Sequence, residues 1–194
     1  MTNKPTKYRD IFGWFNYETT YDMIFNHLKD GDIFVEVGVF EGKSLCYMGE
    51  LSIKNNKLLY LSGVDIFRGC DDWLAKYGIK EKGLGTYERA IANLAPIAEK
   101  ANIRLYKDTS YAASERIPDE LAAVFIDAAH DYASVKDDIS FWLPKVKTGG
   151  ILAGHDYGGD WTGVKQAVDE SLSDYEIHTN LVETTWWIYK KGGE

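Results

Sequence analysis

Short apolar runs and amphipathic stretches take turns along this chain with little between them. Ile33-Phe34-Val35, and the runs at Leu58 to Val64, Ile103 to Tyr106, Ala122 to Ile126 and Ile151 to Ala153, have the length and apolar density of buried strands. Between them apolar residues recur at helical spacing. Tyr21, Ile24, Phe25 and Leu28 precede the first run, and Asp30-Gly31 closes that helix. Tyr87, Ile91, Leu94 and Ala98 form a second stripe, Val135, Ile139 and Trp142 a third, and Val164, Val168 and Leu172 a fourth. The alternation predicts a βαβ series and therefore an α/β fold with a mostly parallel sheet. The ending breaks the rhythm. Glu176 to Asn180 and Thr184 to Lys190 read as strands separated only by Leu181-Val182-Glu183, too short for a crossover helix. That pair must be antiparallel, so one strand is inserted against the direction of the rest.

Composition narrows the class. A length of 194 residues suits one compact domain over 1–194, and no repeat, low-complexity tract or linker divides it. A net charge of −8 argues against nucleic acid or an anionic membrane as partner, because binding those relies on Lys and Arg neutralising phosphate. A small molecule is the expected partner. No run of about 18 apolar residues could span a bilayer, and Met1-Thr2-Asn3-Lys4-Pro5 leads into no signal-peptide core, so a cytoplasmic location is expected. Cys46 and Cys70 have neither metal spacing nor a C-x-x-C arrangement and read as reduced thiols.

The chemistry begins where the first strand ends. Glu36-Val37-Gly38-Val39-Phe40-Glu41-Gly42-Lys43-Ser44 reads as a strand end, a glycine loop and a helix start. Gly38 and Gly42 permit a sharp turn and close backbone approach to a ligand, and such a loop is where open α/β sheets hold nucleotide-like cofactors. It is not a phosphate cradle. It lacks the middle glycine of G-x-G-x-x-G and is one residue short between the glycines of a P-loop. Glu36 and Glu41 would repel a pyrophosphate and suit a cofactor with an ammonium or sulfonium centre.

Further candidates end the later strands. Asp65 ends the second, where an acid can accept hydrogen bonds from ribose hydroxyls; its alternative is a turn cap. Asp108, Thr109 and Ser110 end the third and either cap the next helix or meet an adenine amine. Asp127 ends the fourth, followed by His130, Asp131 and Tyr132; His155 and Asp156 end the fifth. Acids and imidazoles converging on one sheet end call for a cation between them. Asp127 and Asp156 suit Mg²⁺, and His155 makes the set more tolerant of Mn²⁺, Fe²⁺ or Zn²⁺. The alternative is that Asp127 caps the following helix and His155 is a neutral structural histidine. His27 and His178 belong to no such group and read as structural.

Two aromatic segments remain. Residues 1–30 carry Tyr8, Phe12, Trp14, Phe15 and Tyr17, which would roof an acceptor pocket or make a contact between copies in a homo-oligomer. Ile66 to Gly85 is long for a connection; Phe67, Trp73, Leu74 and Tyr77 would form a lid with Gly69, Gly78 and Gly83 as flexible points, or an ordinary packed helix.

From Tyr21 to Lys190 the chain resembles the class I S-adenosylmethionine-dependent methyltransferases, and within them the macrocin-type sugar and natural-product O-methyltransferases. The resemblance rests on the segment 35–44, on Phe125-Ile126-Asp127-Ala128-Ala129-His130-Asp131-Tyr132, on Gly149-Gly150-Ile151-Leu152-Ala153-Gly154-His155-Asp156-Tyr157, and on Gly163-Val164-Lys165-Gln166-Ala167-Val168-Asp169. It implies a doubly wound, Rossmann-like, seven-stranded sheet with a reversed strand near the end and helices on both faces. It further implies that Glu36 and the loop from Gly38 through Phe40, Glu41 and Gly42 to Ser44 hold the methionine part of S-adenosylmethionine, and Asp65 the ribose. Metal ligands would be Asp127, His155 and Asp156, although His155 stands where many relatives have a carboxylate. His130 takes the place of a basic residue in similar metal-dependent enzymes and would act as general base beside Asp127. A nicotinamide-dependent oxidoreductase and a non-catalytic S-adenosylmethionine binder remain as alternatives at this point.

Overall fold

The computed structural model describes residues 7–68 and 84–192. Seven strands form one sheet: β1 (Ile33–Val37), β2 (Tyr60–Asp65), β3 (Ile103–Lys107), β4 (Leu121–Ile126), β5 (Val146–Gly154), β6 (His178–Asn180) and β7 (Thr185–Tyr189). Their order across the sheet is β3-β2-β1-β4-β5-β7-β6. The strands from β3 to β5 are parallel, while β7 pairs antiparallel with both β5 and β6, so β7 alone is reversed. The helices are α1 (Glu18–His27), α2 (Lys43–Lys54), α3 (Tyr87–Leu94), α4 (Ser110–Ser114), α5 (Tyr132–Trp142) and α6 (Thr162–Ser171).

Strand periodicity assigns residues to the two faces. Along β1, Phe34 joins one core with Tyr21 and Ile24 of α1 and Leu45 and Met48 of α2, whereas Val35 and Val37 join the other with Val135, Ile139 and Trp142 of α5. Phe125 and Val124 of β4 divide in the same way. All six β4 residues are buried, as a central parallel strand covered on both sides requires. Helices therefore lie on both faces, and Glu36 is committed to the α1–α2 side.

Order reverses between β1 and β4, whose neighbours lead outward in opposite directions, and the crevice opens at their carboxyl ends. The segment anticipated as a lid is described only at its edges. Phe67 is buried and packs against Tyr87, while Trp73, Leu74, Tyr77, Gly69, Gly78 and Gly83 lie outside the described residues, as does Cys70. Cys46 is buried within α2, and burial pushes its thiol up to about 12, which makes it a poor nucleophile. No helix among the described residues is long and apolar enough to cross a membrane.

Candidate active site

A cavity of about 1060 Å³ lies at the carboxyl ends of the strands. Its floor is the loop after β1. Gly38, at φ +92°, passes directly beneath the end of β4. Gly42, at φ +87°, is the N-cap of α2, where a Cβ would come within 3.0 Å of Leu94. Both need the left-handed backbone that glycine adopts without strain. Phe40 has φ +51° despite its bulk, a conformation that costs on the order of 1 kcal/mol or more and must be held by its surroundings. Asp65 does so: its Oδ2 accepts hydrogen bonds from the Val39 and Phe40 amides at 2.9 and 2.8 Å, and its Oδ1 accepts from the Phe67 amide at 2.7 Å. The carboxylate expected to meet a ribose thus shapes the loop as well, and it still faces the cavity.

The two acids of the loop are placed differently from the sequence expectation. Glu36 is fully buried beneath the floor; Tyr21 Oη donates to its Oε2 at 2.7 Å and Ser44 Oγ to its Oε1 at 2.8 Å. Burial raises its carboxyl to about 8 despite those two donors. Glu41 does not face the cavity at all. It is fully buried and turned outward from the floor, accepting from the Gly85 amide, from Arg89 Nε at 2.9 Å and from Asn93 Nδ2 at 3.1 Å. Its assignment to the cofactor is corrected: the residue ties the loop to α3. Gly42 likewise shapes the helix start and is not part of the wall, whereas Gly38, Phe40 and Ser44 are.

At the β3 end, Asp108 and Ser110 both reach the cavity. Asp108 pairs with Arg116 at 2.6 Å, and Thr109, not Asp108, caps α4 through a bond from the Ala112 amide. Ser110 Oγ accepts from Trp142 Nε1 at 2.8 Å. Beside it stands Asp138, missed by the sequence reading, 6% exposed and on the cavity wall. Burial raises this carboxyl to about 6, partly offset by the Ser110 hydroxyl. Its signal was available: Asp138 falls three residues after Val135 and four before Trp142, an acid inside the apolar stripe of α5.

The opposite end holds two acids and two imidazoles. Asp127 Oδ2 accepts from Tyr17 Oη at 2.8 Å. His130 Nε2 lies 2.8 Å from Asp156 Oδ2 and 4.0 Å from Asp127 Oδ1. His155 Nδ1 lies 3.3 Å from Asp156 Oδ1 and 3.6 Å from Asp127 Oδ1, and its Nε2 is 3.2 Å from Thr184 Oγ1. Burial opposes a charge on either imidazole, but the adjacent carboxylates outweigh it: His130 is raised above 6.5 and His155 to about 10. Burial acts to raise Asp156 too, yet its bonds to the two histidines hold it far below the ordinary carboxylate range. Asp156 is presented at φ +60°, a strained backbone at the edge of the cavity.

One atom each from Asp127, His130 and Asp156 lies within 4.8 Å of the others, spacing that suits a single cation. His155 Nδ1, the nitrogen the sequence suggested, stands beside the same two carboxylates, so both imidazoles border the cluster. Trp161, also missed, stacks on His130 with ring centroids 4.3 Å apart. Of the N-terminal aromatics, Trp14, Phe15 and Tyr17 reach the cavity, while Tyr8 and Phe12 do not. His27 meets the Gly149 carbonyl and His178 stacks on Trp187, both away from this centre.

The sequence from 35 to 157 matches the family described as methyltransferase domain. An uncharacterized protein of Acanthamoeba polyphaga mimivirus is 28% identical over 152 residues, which are 76% of this chain; the chain spans 62% of that relative's length. Among solved structures, the O-methyltransferase NovP superposes with a TM-score of 0.69 at 21% identity, over 90% of this chain and 79% of its own. The calicheamicin-pathway enzyme CalS11, a TDP-rhamnose 3'-O-methyltransferase, gives 0.60 at 15% identity, over 88% and 77% of the two chains. An rRNA methylase from Streptococcus thermophilus shares the fold too. The sheet with its reversed β7, the glycine loop at the β1–β4 crevice and the match over most of the chain agree: this chain belongs to the S-adenosylmethionine-dependent methyltransferases.

Proposed function

We propose that this protein transfers the methyl group of S-adenosylmethionine to a hydroxyl of a small-molecule acceptor, a sugar or natural product, with the help of a divalent cation. The observation that carries the reading is the Asp127–His130–Asp156 cluster, which lies on the wall of the same cavity as the glycine loop. Asp127, Asp156 and the His155 Nδ1 beside them would hold Mg²⁺ or, with the nitrogen, Mn²⁺, which leaves His130 for proton transfer.

When bound, S-adenosylmethionine supplies an electrophilic sulfonium methyl, and a divalent cation supplies charge that lowers a hydroxyl pKa. The rest falls to the chain. Gly38, Phe40 and Ser44 form the floor that would take the methionine part, Asp65 would meet the ribose, and Asp108 and Ser110 would lie toward the adenine. Asp127 and Asp156 would hold the cation and fix the acceptor's approach, and orientation would supply much of the acceleration because two bound molecules react. His130, clamped between Trp161 and Asp156, takes the acceptor proton at Nε2. Its ring accepts that proton only when neutral, whereas Asp127 and Asp156 beside it favour imidazolium, a charge that a bound cation would offset.

A cavity of about 1060 Å³ has room for an acceptor beside the cofactor, and Trp14 and Trp161 give it flat apolar walls suited to sugar or aromatic rings. NovP and CalS11 are O-methyltransferases, which supports oxygen as the target. The net charge of −8 disfavours an RNA acceptor. Thermal unfolding with S-adenosylhomocysteine, NAD or neither, each with Mg²⁺, Mn²⁺ or chelator, tests the reading. A ligand at about one hundred times its Kd adds roughly 2.7 kcal/mol, or about 5 to 10 °C here. A shift with S-adenosylhomocysteine and a further one with metal supports the proposal; a response to NAD alone refutes it.

A further inference from the structure

We infer that Tyr17 is a positioning residue for the metal and acceptor end of the site, set in place by the Glu183–Thr184 turn, and this rests on the function proposed above. α1 starts without a cap of its own, since its N-cap is Tyr17 and no side chain there satisfies the first amides. Glu183, distant in sequence, does this instead. Its Oε1 accepts from the Thr19 amide at 2.8 Å, and its Oε2 accepts from the Thr20 amide at 2.9 Å and from Thr20 Oγ1 at 2.6 Å. Thr20 Oγ1 also bonds Thr185 Oγ1 at 2.7 Å. An acidic cap on exposed amides satisfies donors and helix dipole together, and Glu183 makes these bonds while only 7% exposed.

That cap fixes the residue just before the helix. Tyr17 is buried, stacks on Phe125 of β4, lies 4.5 Å from the His155 ring and donates to Asp127 Oδ2. Thr184, next to Glu183, is held at φ +50° and reaches His155 with its hydroxyl, while its carbonyl accepts from the Tyr157 amide. One turn between β6 and β7 therefore governs both flanks of the cluster: Asp127 through α1 and Tyr17, and His155 directly. The Tyr17 hydroxyl occupies one oxygen of Asp127 and leaves Oδ1 turned toward His130 and His155. Hydrogen bonds of this kind orient a carboxylate before its cation arrives, and losing one costs roughly 10- to 100-fold in metal affinity or activity.

The test compares wild type, Tyr17→Phe and Glu183→Gln in the full chain, measuring the Kd for Mn²⁺ by electron paramagnetic resonance and that for S-adenosylhomocysteine by calorimetry. Phenylalanine keeps the stack on Phe125 and removes only the donor. Expected is a Mn²⁺ Kd raised roughly 10- to 100-fold with S-adenosylhomocysteine affinity within about twofold. Glu183→Gln, which touches none of the ligands, should move Mn²⁺ affinity in the same direction. It also serves as the deciding variant if Tyr17→Phe fails to bind S-adenosylhomocysteine and so has lost its fold. Unchanged Mn²⁺ affinity in a variant that still binds S-adenosylhomocysteine overturns the inference and leaves the proposed function standing. Wild type that binds neither probe overturns both.

Discussion

A methyl group built on Gly38 would stand 1.9 Å from the carbonyl oxygen of Asp127. The floor of the cavity and the chain carrying Asp127 are therefore in backbone contact, and no side chain fits between them.

Gly38→Ala should accordingly be among the most damaging single changes. It adds an overpacked contact to a positive φ, each on the order of 1–3 kcal/mol, so the melting temperature should fall by about 5 to 15 °C. Differential scanning calorimetry checks this, and a loss under 1 °C would show that β1 and β4 separate more easily than their contact indicates.

Glu36 predicts a pH dependence of stability. Its folded pKa of about 8 lies above the ordinary 4.5, so the native state holds this proton where the unfolded state has released it. Stability from this group is intact below about pH 4.5 and lost as pH rises toward 8, by on the order of 5 kcal/mol. Glu36→Gln should flatten that slope and gain on wild type as pH is raised from 5 to 8. Asp138→Asn should do the same over a narrower window that closes near pH 6, since its own carboxyl is raised only to about 6. Denaturant melts at pH 5, 6.5 and 8 separate the two variants; parallel slopes for Glu36→Gln and wild type would contradict the assignment.

Glu41→Ala should weaken the fold before it weakens chemistry. It removes the shared acceptor of the Gly85 amide, Arg89 Nε and Asn93 Nδ2, and leaving the buried amide unsatisfied costs roughly 1–3 kcal/mol, while the half-exposed Arg89 can turn to water. Glu41→Gln, which keeps an acceptor, should lose less. If Glu41→Ala melts with wild type yet no longer binds S-adenosylhomocysteine, the residue contacts cofactor after all.

His130→Gln should lower kcat by roughly 10²–10⁴ with little change in cofactor affinity, as expected for loss of a proton acceptor. Retention of full activity and the same pH profile would remove His130 from that role.

What the sequence made legible follows from the range of the interactions involved. The apolar periods marked the strands and the helix faces because burial acts on each element separately, and the short 181–183 connection required an antiparallel pair at the end; the order of the strands is not legible in any local period. Asp127, His130, His155 and Asp156 were found because strand ends converge in any such sheet. Glu41 was misread because its partners Arg89 and Asn93 lie 48 and 52 residues further on, and nothing local distinguishes an acid facing a ligand from one facing a neighbouring helix. Tyr17 was recognised only as an aromatic, for the Asp127 oxygen it meets is 110 residues away. Trp161 had no neighbouring pattern to mark it, while Asp138 had one that the stripe around it concealed.

The triple acceptance by Asp65 carries a consequence for evolution and engineering. A single carboxylate bends the β1 loop, anchors the start of the segment after β2 and faces the cavity, where the proposed function has it meet the ribose. On that proposal, curvature of the floor and choice of nucleoside are encoded at one position. A variant seeking a different cofactor cannot retune recognition there without also releasing Phe40 from its left-handed turn, so new specificity has to arise elsewhere along the wall, where residues answer to a single duty.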